Sequence, residues 1–230
     1  MSKVVHPYAL RLPLIRGWKS RWFKSGDAYR KTLIADTKIR EYLEKKLRTA
    51  GVSTVDIERG PSVTRIMVHT SRPGIIIGRS GEGANALRAD LLKFFKKNDI
   101  ETPTDLKIDV VEITNPDADA KIIALSIAEM LEKRMVFRRV LKMTAEKVMQ
   151  ARGVKGVKIT LSGRLGGADM SRKESIKLGG IPLQFMRGDV DYATDAARMT
   201  YGAIGIKVWI YRGMKFTDDV AAKQTSRKDK

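Results

Sequence analysis

Apolar and polar positions along the first half of the chain follow two different periods. Between residues 27 and 50 the apolar side chains recur at the spacing of a helix, and a glycine follows as a stop signal. Residues 52–58 and 63–70 instead alternate apolar and polar side chains on either side of a Gly-Pro-Ser turn. The pattern predicts one long helix followed by a hairpin of two strands.

After the hairpin the helical period returns twice before another strand begins. A short apolar helix is predicted to end at Gly78, and a longer helix to cover roughly residues 82–97. The apolar side chains expected to face inward from the longer helix are Ala86, Leu87, Leu91, Leu92 and Phe95. Residues 106–113 alternate like a strand. The resulting order, helix, strand, strand, helix, helix, strand, is that of the type II KH fold.

An Asn-Pro-Asp run at residues 115–117 interrupts this pattern, and we place a domain boundary there. Two helices are predicted next, near residues 119–133 and 136–151. Four strands are predicted after them, at residues 157–162, 181–187, 190–197 and 204–211.

These elements predict an α+β protein with two domains. We expect an N-terminal arm over residues 1–16, extended in form, and a type II KH RNA-binding domain over residues 17–114. A C-terminal α+β domain is expected over residues 115–213, sandwich-like, with two helices packed on a mostly antiparallel sheet. Residues 214–230 are small, polar and charged and are expected to form a mobile tail.

The charge of the chain indicates a polyanionic partner. The 230 residues include 45 Lys and Arg against 26 Asp and Glu, which gives a net charge of +19. A folded domain with this surplus repels itself unless an anion lies beside it, and nucleic acid is the commonest such anion. An acidic membrane surface is the alternative, but it favours a concentrated basic run or a basic amphipathic helix. The cations here are spread along the chain, which favours nucleic acid.

The residues give no support for an enzyme, a metal or a cofactor. The chain has no cysteine, and its two histidines, His6 and His69, lie in no spaced metal or acid–histidine motif. A Walker loop is absent from the sequence, as are a secretory signal and an apolar run of membrane-spanning length. We therefore expect a soluble, cytoplasmic, non-enzymatic protein.

The first candidate site is the loop between the two helices of the KH pattern. Gly78, Arg79, Ser80 and Gly81 form a Gly-x-x-Gly sequence, in which glycine lets the backbone approach a sugar-phosphate chain and Arg79 meets a phosphate. Residues 75–77, three isoleucines, are expected to line an apolar groove for unpaired bases. An isolated Gly-x-x-Gly is more often a tight turn between helices, but its position in the helix and strand order favours RNA binding. A dinucleotide-binding loop needs a different order of glycines after a strand and is rejected.

The second candidate site is one face of the predicted helix 136–151. Arg138, Arg139 and Lys142 gather opposite its apolar side, and Glu146 is the only acid between residues 133 and 155. A solvated helix face normally mixes both signs of charge. A face of one sign is better explained by contact with phosphates.

The third candidate site is a C-terminal loop with the basic residues that follow it. Successive amides in a glycine loop can form a concavity that binds an anion. The residues of this site are Arg164, Gly166, Gly167, Arg172 and Lys173. A flexible hairpin loop explains the same residues equally well, and the sequence leaves both interpretations open.

Two tryptophans and a phenylalanine precede the first long helix. Trp18, Trp22 and Phe23 are able to stack on bases, but aromatic side chains beside a helix start are more often packed in a core. We expect the core position, with the neighbouring cations outward. Those cations are Lys19, Arg21 and Lys24.

Several segments resemble the family of small-subunit ribosomal protein three, the universal ribosomal KH-domain protein, in its bacterial form. The resemblance covers the chain from the arm to about residue 213. The segments are residues 6–12, 70–82, 137–139, 162–168, 187–192 and 200–211.

This resemblance implies a ribosomal protein bound to ribosomal RNA in the head of the small subunit. It implies small-subunit proteins ten and fourteen as neighbours, and messenger RNA as a second RNA partner. The face formed by Arg138, Arg139 and Lys142 would line the messenger entrance and assist the opening of messenger structure without nucleotide hydrolysis. The alternatives from other classes are a free KH-type RNA chaperone or regulator and, least favoured, an enzyme acting on nucleic acid.

The chain departs from the family pattern at a few positions. Met143 stands where another base is common, which weakens the expected messenger face. Residues 184–186 are Gln-Phe-Met instead of His-Thr-Leu, and Ser2 and Pro13 replace glycines of the arm. None of these differences falls in the Gly-x-x-Gly loop.

Overall fold

The computed structural model describes residues 5–12, 14–98, 100 and 105–216. The chain forms two compact units, one of Trp18–Thr114 and one that joins Met1–Gly17 to Asn115–Lys230. Ser2 and Pro13 lie outside the described residues, as does the expected mobile tail from residue 217 onward.

The N-terminal segment is not the extended arm that the sequence predicted. It contains a one-turn helix, α1 (Pro7–Leu10), which begins at a proline and whose Tyr8 amide donates to Nδ1 of His6 at 3.2 Å. Arg11, which follows the helix, has no exposed surface and donates to carbonyls between residues 182 and 188. The two prolines and the lack of a hydrophobic period predicted an extended arm. The segment is instead held in place by one buried arginine, Arg11.

The first unit contains a four-stranded sheet and three helices. Its elements are β1 (Ser20–Arg21), α2 (Gly26–Lys46), β2 (Val52–Arg59), β3 (Val63–Thr70), α3 (Pro73–Ile77), α4 (Glu82–Lys97) and β4 (Asp105–Glu112). The strand order is β1-β2-β3-β4, with an antiparallel β2–β3 pair and parallel pairs at both ends. The predicted KH order is confirmed, and the two-residue strand β1 is an addition that its length made invisible to pattern analysis.

The core of this unit lies between the helices and one face of the sheet. Ile39 and Leu43 of α2 and Ile57, Ile66 and Val68 of the sheet have no exposed surface. Leu87, Leu91 and Phe95 of α4 are buried as expected, and Leu92 is partly buried. Ala86 is exposed, contrary to expectation, because it stands at the edge of the apolar stripe.

The second unit places two helices on one face of an antiparallel sheet. Its elements are α5 (Ala120–Glu132), α6 (Phe137–Gln150), β5 (Gly156–Gly163), β6 (Arg172–Gly179), β7 (Gly188–Met199) and β8 (Gly202–Met214). The strand order is β6-β5-β8-β7, and every pair is antiparallel. The expected α+β architecture is therefore confirmed. Strand β8 continues to Met214, one residue into the segment predicted as tail.

One predicted strand of this unit is wrong. Residues 181–187 form a loop, and the fourth strand is instead β6. Ile176 and Leu178 of β6 pack against the helix-covered core while charged residues alternate with them. The density of charge in β6 outweighed its two apolar positions, so no strand was predicted there.

The expected burial of the aromatic residues before α2 is also wrong for two of the three. Trp18 is 62% exposed and Phe23 is 93% exposed. Trp22 is partly buried and donates its indole N–H to Oδ2 of Asp36 at 2.8 Å. Sequence spacing does not distinguish the three rings. A single buried carboxylate, that of Asp36, holds Trp22.

None of the helices in the described residues is long and apolar enough to cross a bilayer.

Candidate RNA-binding surfaces

The Gly-x-x-Gly loop connects α3 to α4 through a backbone that turns sharply. Gly78 and Gly81 have φ angles of 68° and 82°, and Ser80 between them has a φ of 50°. Gly81 stands at the N-cap of α4 without a side-chain hydrogen bond, and the first amide of the helix, that of Glu82, donates to the carbonyl of Arg79. Arg79 and Ser80 are exposed. The loop therefore presents backbone amides, a helix N-terminus and a cation at the surface, as binding to a phosphate requires.

The three isoleucines before the loop do not act together. Ile76 is 3% exposed and belongs to the core, whereas Ile75 and Ile77 are 53% and 41% exposed. The helical turn of α3 separates them, because neighbouring residues of a helix face different directions. Two isoleucines, not three, are available to contact bases.

Gly83 is a glycine of this region that the sequence analysis did not single out. A Cβ at Gly83 would lie 2.5 Å from the carbonyl oxygen of Ile76 and 3.0 Å from that of Ile77. Helices α3 and α4 approach so closely that only glycine fits. The repeated glycines after residue 78 were the sequence signal for this close approach, and Gly83 is the one that lets the two helices contact each other.

The basic face of α6 is present and exposed. Val140, Leu141, Thr144, Ala145 and Val148 are buried against the sheet. The cations on the opposite side are exposed: Arg138, Arg139 and Lys142. Met143 is 40% exposed beside them. The apolar stripe of the helix fixes the direction of these cations, as the period predicted.

The start of α6 lies beside strand β6, so the second and third candidate sites meet. The guanidinium carbons of Arg138 and Arg172 lie 5.7 and 5.4 Å from the ring centre of Phe137. The same two guanidinium groups lie 3.4 and 3.6 Å from Oε1 of Glu174. Gly166 also reaches this ring, since a Cβ there would lie 3.8 Å from Cε1 of Phe137. Phe137 and Glu174, neither of which was predicted as a site residue, hold the cluster together.

Arg139 and Lys142 differ from Arg138 in their electrostatic environment. Within the described part of the chain neither forms an ion pair, whereas Arg138 shares Glu174. Lys147, further along the helix, is paired with Asp117 at 2.7 Å. The uncompensated charge of the face is thus concentrated at Arg139 and Lys142.

Arg164 of the C-terminal loop is turned toward its own backbone. Its guanidinium donates to the carbonyls of Ala168 and Tyr201 at 2.9 and 3.1 Å and to Asp169 at 3.2 Å. Gly166 and Gly167 have φ angles of 71° and 83°, which a left-handed turn requires. Arg164 therefore uses most of its N–H donors to stabilise this turn.

Lys173 lies apart from the cluster on Phe137. It neighbours Arg172 in β6, and successive side chains of a strand point to opposite faces. Lys173 therefore belongs to the sheet face that the helices do not cover.

The acids Asp189 and Asp191 have structural partners. Asp189 has no exposed surface and pairs with Arg16 at 2.7 Å and Lys215 at 2.5 Å, while Asp191 pairs with Arg212 at 2.9 Å. Burial raises the pKa of Asp189, but the neighbouring Arg16, Lys215 and Arg212 lower that pKa further, so the group ionises below its ordinary range. Among the described residues no three His, Asp or Glu side chains stand close enough to hold a metal ion.

A basic cavity of about 630 Å³ in the first unit was not foreseen from the sequence. Its cationic lining residues are Lys24, Lys31, Lys38 and Arg59. Lys31 and Lys38 lie on α2, Lys24 lies just before that helix, and Arg59 comes from β2. Arg59 bonds to the buried Asp36, so part of the cavity wall has a structural role.

Comparison with known families accounts for both units. The family model described as KH domain matches residues 38–118, and the model described as ribosomal protein S3, C-terminal domain, matches residues 127–210. A small ribosomal subunit protein uS3 of Caldicellulosiruptor bescii is 42% identical over 224 residues, 97% of this chain and 98% of the relative.

Further relatives with the same name come from other bacteria. The protein of Caldicellulosiruptor saccharolyticus is 44% identical over 213 residues, 93% of each chain. That of Pseudomonas fluorescens strain Pf-5 is 43% identical over 213 residues, 93% of this chain and 90% of the relative. Identity of this extent, with a KH unit and an S3-type C-terminal unit in the same order, establishes that the chain belongs to the uS3 family of ribosomal, RNA-binding proteins.

Proposed function

We propose that the chain is a structural protein of the small-subunit head that binds ribosomal RNA and lends its α6 face to the messenger entrance. The observation that carries the second part is the pair Arg139 and Lys142, which are exposed, three residues apart on one helix, and without an ion pair in the described residues. Such a pair attracts phosphates irrespective of base sequence, as a surface passed by every message must do.

The geometry around Phe137 supports this proposal. Arg138 and Arg172 contact the same ring and the same carboxylate oxygen, so these two cations are held in position before RNA arrives. A cation with a fixed position loses little side-chain entropy on binding. Ordered cations therefore bind an unpaired RNA strand more tightly than an equal number of mobile lysines would.

A ribosomal RNA contact is proposed for the Gly-x-x-Gly loop. Gly78, Arg79, Ser80 and Gly81 present amides and charge at the N-terminus of α4, which supports a phosphate contact there. Small-subunit proteins ten and fourteen are the proposed protein neighbours, an assignment supported by family membership alone. No nucleotide hydrolysis is assigned to this chain, and the moving ribosome supplies the force on the message.

The entrance role is tested with the triple variant Arg138→Ala, Arg139→Ala, Lys142→Ala in reconstituted translation. We expect the variant to assemble into small subunits and to slow translation of messages with stable hairpins by several fold, while unstructured messages are translated at the normal rate. Equal slowing on both kinds of message would contradict the proposal. The matched control replaces Lys45, Lys96 and Lys97, three exposed lysines of the KH unit, by alanine.

Ribosome association is tested separately by sedimentation in high salt. A ribosomal constituent stays with small subunits at one copy each, because its contacts are numerous and partly shielded from salt. A chain that acts as a free KH-type chaperone or regulator would instead remain at the top of the gradient. That outcome would contradict the structural role.

A further inference from the structure

The sheet face of the second unit that points away from α5 and α6 carries an ordered set of lysines. The register of the four strands places Lys177, Lys158, Trp209 and Tyr192 in one row across the sheet. The next row is Ser175, Thr160, Lys207 and Thr194, and the row after it is Lys173, Ser162, Gly205 and Ala196. Directly paired residues lie on the same face of a sheet. Four lysines from three strands therefore share one face.

This face has cations without counterions. Lys158, Lys173, Lys177 and Lys207 form no ion pair within the described residues, and none of the three rows contains a carboxylate. The acidic residues of the same strands lie on the opposite face of the sheet or at its edge. Glu174 pairs with Arg138 and Arg172, Asp191 pairs with Arg212, and Asp195 pairs with Lys121. The two faces of one sheet thus differ in whether their charge is compensated.

The positions of the lysines carry an energetic cost in the free protein. Lys158 and Lys177 are direct cross-strand neighbours, and like charges directly opposite each other destabilise a sheet. Nζ of Lys158 lies 5.2 Å from the ring centre of Trp209, whose ring in turn lies 5.1 Å from that of Tyr192. The aromatic rings thereby fix one ammonium group beside the other. A bound anion would remove this repulsion.

We infer that this open sheet face is a second RNA-binding surface of the C-terminal unit, and that it takes the sugar-phosphate backbone of ribosomal RNA. The inference rests on the proposed ribosomal role but concerns a face of the sheet opposite to α6. Lysine acts as a compact point charge suited to phosphates. Backbone contacts of this kind position an RNA without selecting its sequence.

The chemistry of the rows favours RNA over a membrane. None of the large exposed apolar side chains of the described residues lies in them. The two aromatic rings of the first row, Trp209 and Tyr192, are half-buried and pack on each other, and Tyr192 also contacts the ring of His6, so they are poorly placed to insert into a lipid interface. Small polar side chains fill the space between the lysines, with Ser175 and Thr194 exposed. Hydroxyl groups of this kind commonly add hydrogen bonds to phosphate and sugar oxygens.

The surface is tested by the full-length triple variant Lys158→Gln, Lys177→Gln, Lys207→Gln binding to protein-free small-subunit ribosomal RNA. Loss of three phosphate contacts should lower the slope of log K against log salt by about 2, at roughly 0.7 for each contact. The control Lys45→Gln, Lys96→Gln, Lys97→Gln removes the same charge from exposed positions of the other unit. An unchanged slope, or an equal fall in the control, would overturn the inference.

Two further readouts separate this inference from its rivals. Acetylation of lysines should be blocked at Lys158, Lys173, Lys177 and Lys207 both in the complex with RNA alone and in assembled small subunits. Protection in the particle only would assign the face to a neighbouring protein and overturn the inference.

The sheet variant should also translate structured messages normally once it has been assembled into small subunits at saturating concentration, whereas the α6 variant should translate them slowly. The two proposals can therefore fail independently.

Discussion

Arg59 and Asp36 form an ion pair in the interior of the KH unit. Nη2 of Arg59 lies 2.7 Å from Oδ1 of Asp36, whose side chain has no exposed surface. The second carboxylate oxygen accepts from the indole of Trp22 at 2.8 Å and from the hydroxyl of Ser20 at 2.9 Å. One carboxylate on α2 thus ties β1, β2 and the segment before the helix together.

Replacement of Asp36 by alanine should destabilise the KH unit by about 3 kcal/mol, because it leaves the arginine of a buried pair without its counterion. Urea unfolding of the full-length chain measures the loss. The control is Glu58→Ala, which breaks the exposed ion pair with Arg21 and should cost about 1 kcal/mol or less. Similar losses of stability in both variants would show that the buried Asp36–Arg59 pair stabilises the KH unit no more than the exposed pair does.

Arg11→Lys should loosen the N-terminal segment even though the charge is retained. The guanidinium of Arg11 donates to the carbonyls of Pro7, Pro182, Leu183, Phe185 and Gly188, a geometry that a single ammonium cannot match. We expect a loss of about 2 kcal/mol or more, and faster amide hydrogen exchange over residues 181–188. Arg30→Lys, on the exposed side of α2, serves as the control and should leave both quantities unchanged.

Gly83→Ala should destabilise the KH unit, and Gly74→Ala should not. An alanine Cβ at position 83 would lie 2.5 Å from a backbone carbonyl, whereas at position 74 nothing lies within 4 Å. The first change forces α3 and α4 apart, while the second restricts the unfolded chain and is expected to raise stability slightly. Thermal unfolding compares them directly. If Gly83→Ala unfolds at the temperature of the parent, the close approach of the two helices is not required.

The C-terminal unit should lose stability in acid partly through Asp189. The pKa of this group in the folded protein is lower than in the unfolded chain, because the effects of Arg16, Lys215 and Arg212 exceed that of burial. Such a group stabilises the fold above its unfolded pKa, and the contribution is lost as pH falls through the folded pKa. The loss therefore begins near pH 4 and continues below it.

The measurement is the urea midpoint of the full-length chain between pH 3 and pH 7. Asp189→Asn should be less stable than the parent at pH 7, and its stability should fall less between pH 5 and pH 3. A variant whose acid dependence equals that of the parent would show that other carboxylates are responsible.

Periodicity predicted most of the fold because helices and strands bury one face with a fixed spacing. The strand at residues 63–70 and the helix at 82–97 have the predicted bounds. The failures occurred where local pattern and burial disagree. Strand β6 alternates charges with two half-buried apolar residues, and no strand was predicted there, while the mostly apolar loop at 181–187, whose one charged residue is Arg187, was predicted to be a strand.

The candidate sites show the same division. Arg139 and Lys142 were identified because the buried stripe of α6 determines which way they point. The contact of Phe137 with Arg172 and Glu174 was not, since Phe137 is distant in sequence from the other two residues and meets them only through the packing of α6 beside β6. The lysine rows were hidden for a similar reason, because cross-strand register is a property of pairing and not of any one segment.

The sequence by itself determined the two-unit α+β order, the Gly-x-x-Gly loop and the surplus of cations, since each depends on spacing or composition within short stretches. Tertiary structure alone decided which cations are compensated. Arg59, Arg138 and Arg212 meet carboxylates from other elements, while Arg139, Lys142 and the lysines of the open sheet face do not. A charge is neutralised by what lies a few ångströms away in space, and the folded chain, not the order of its residues, sets those distances.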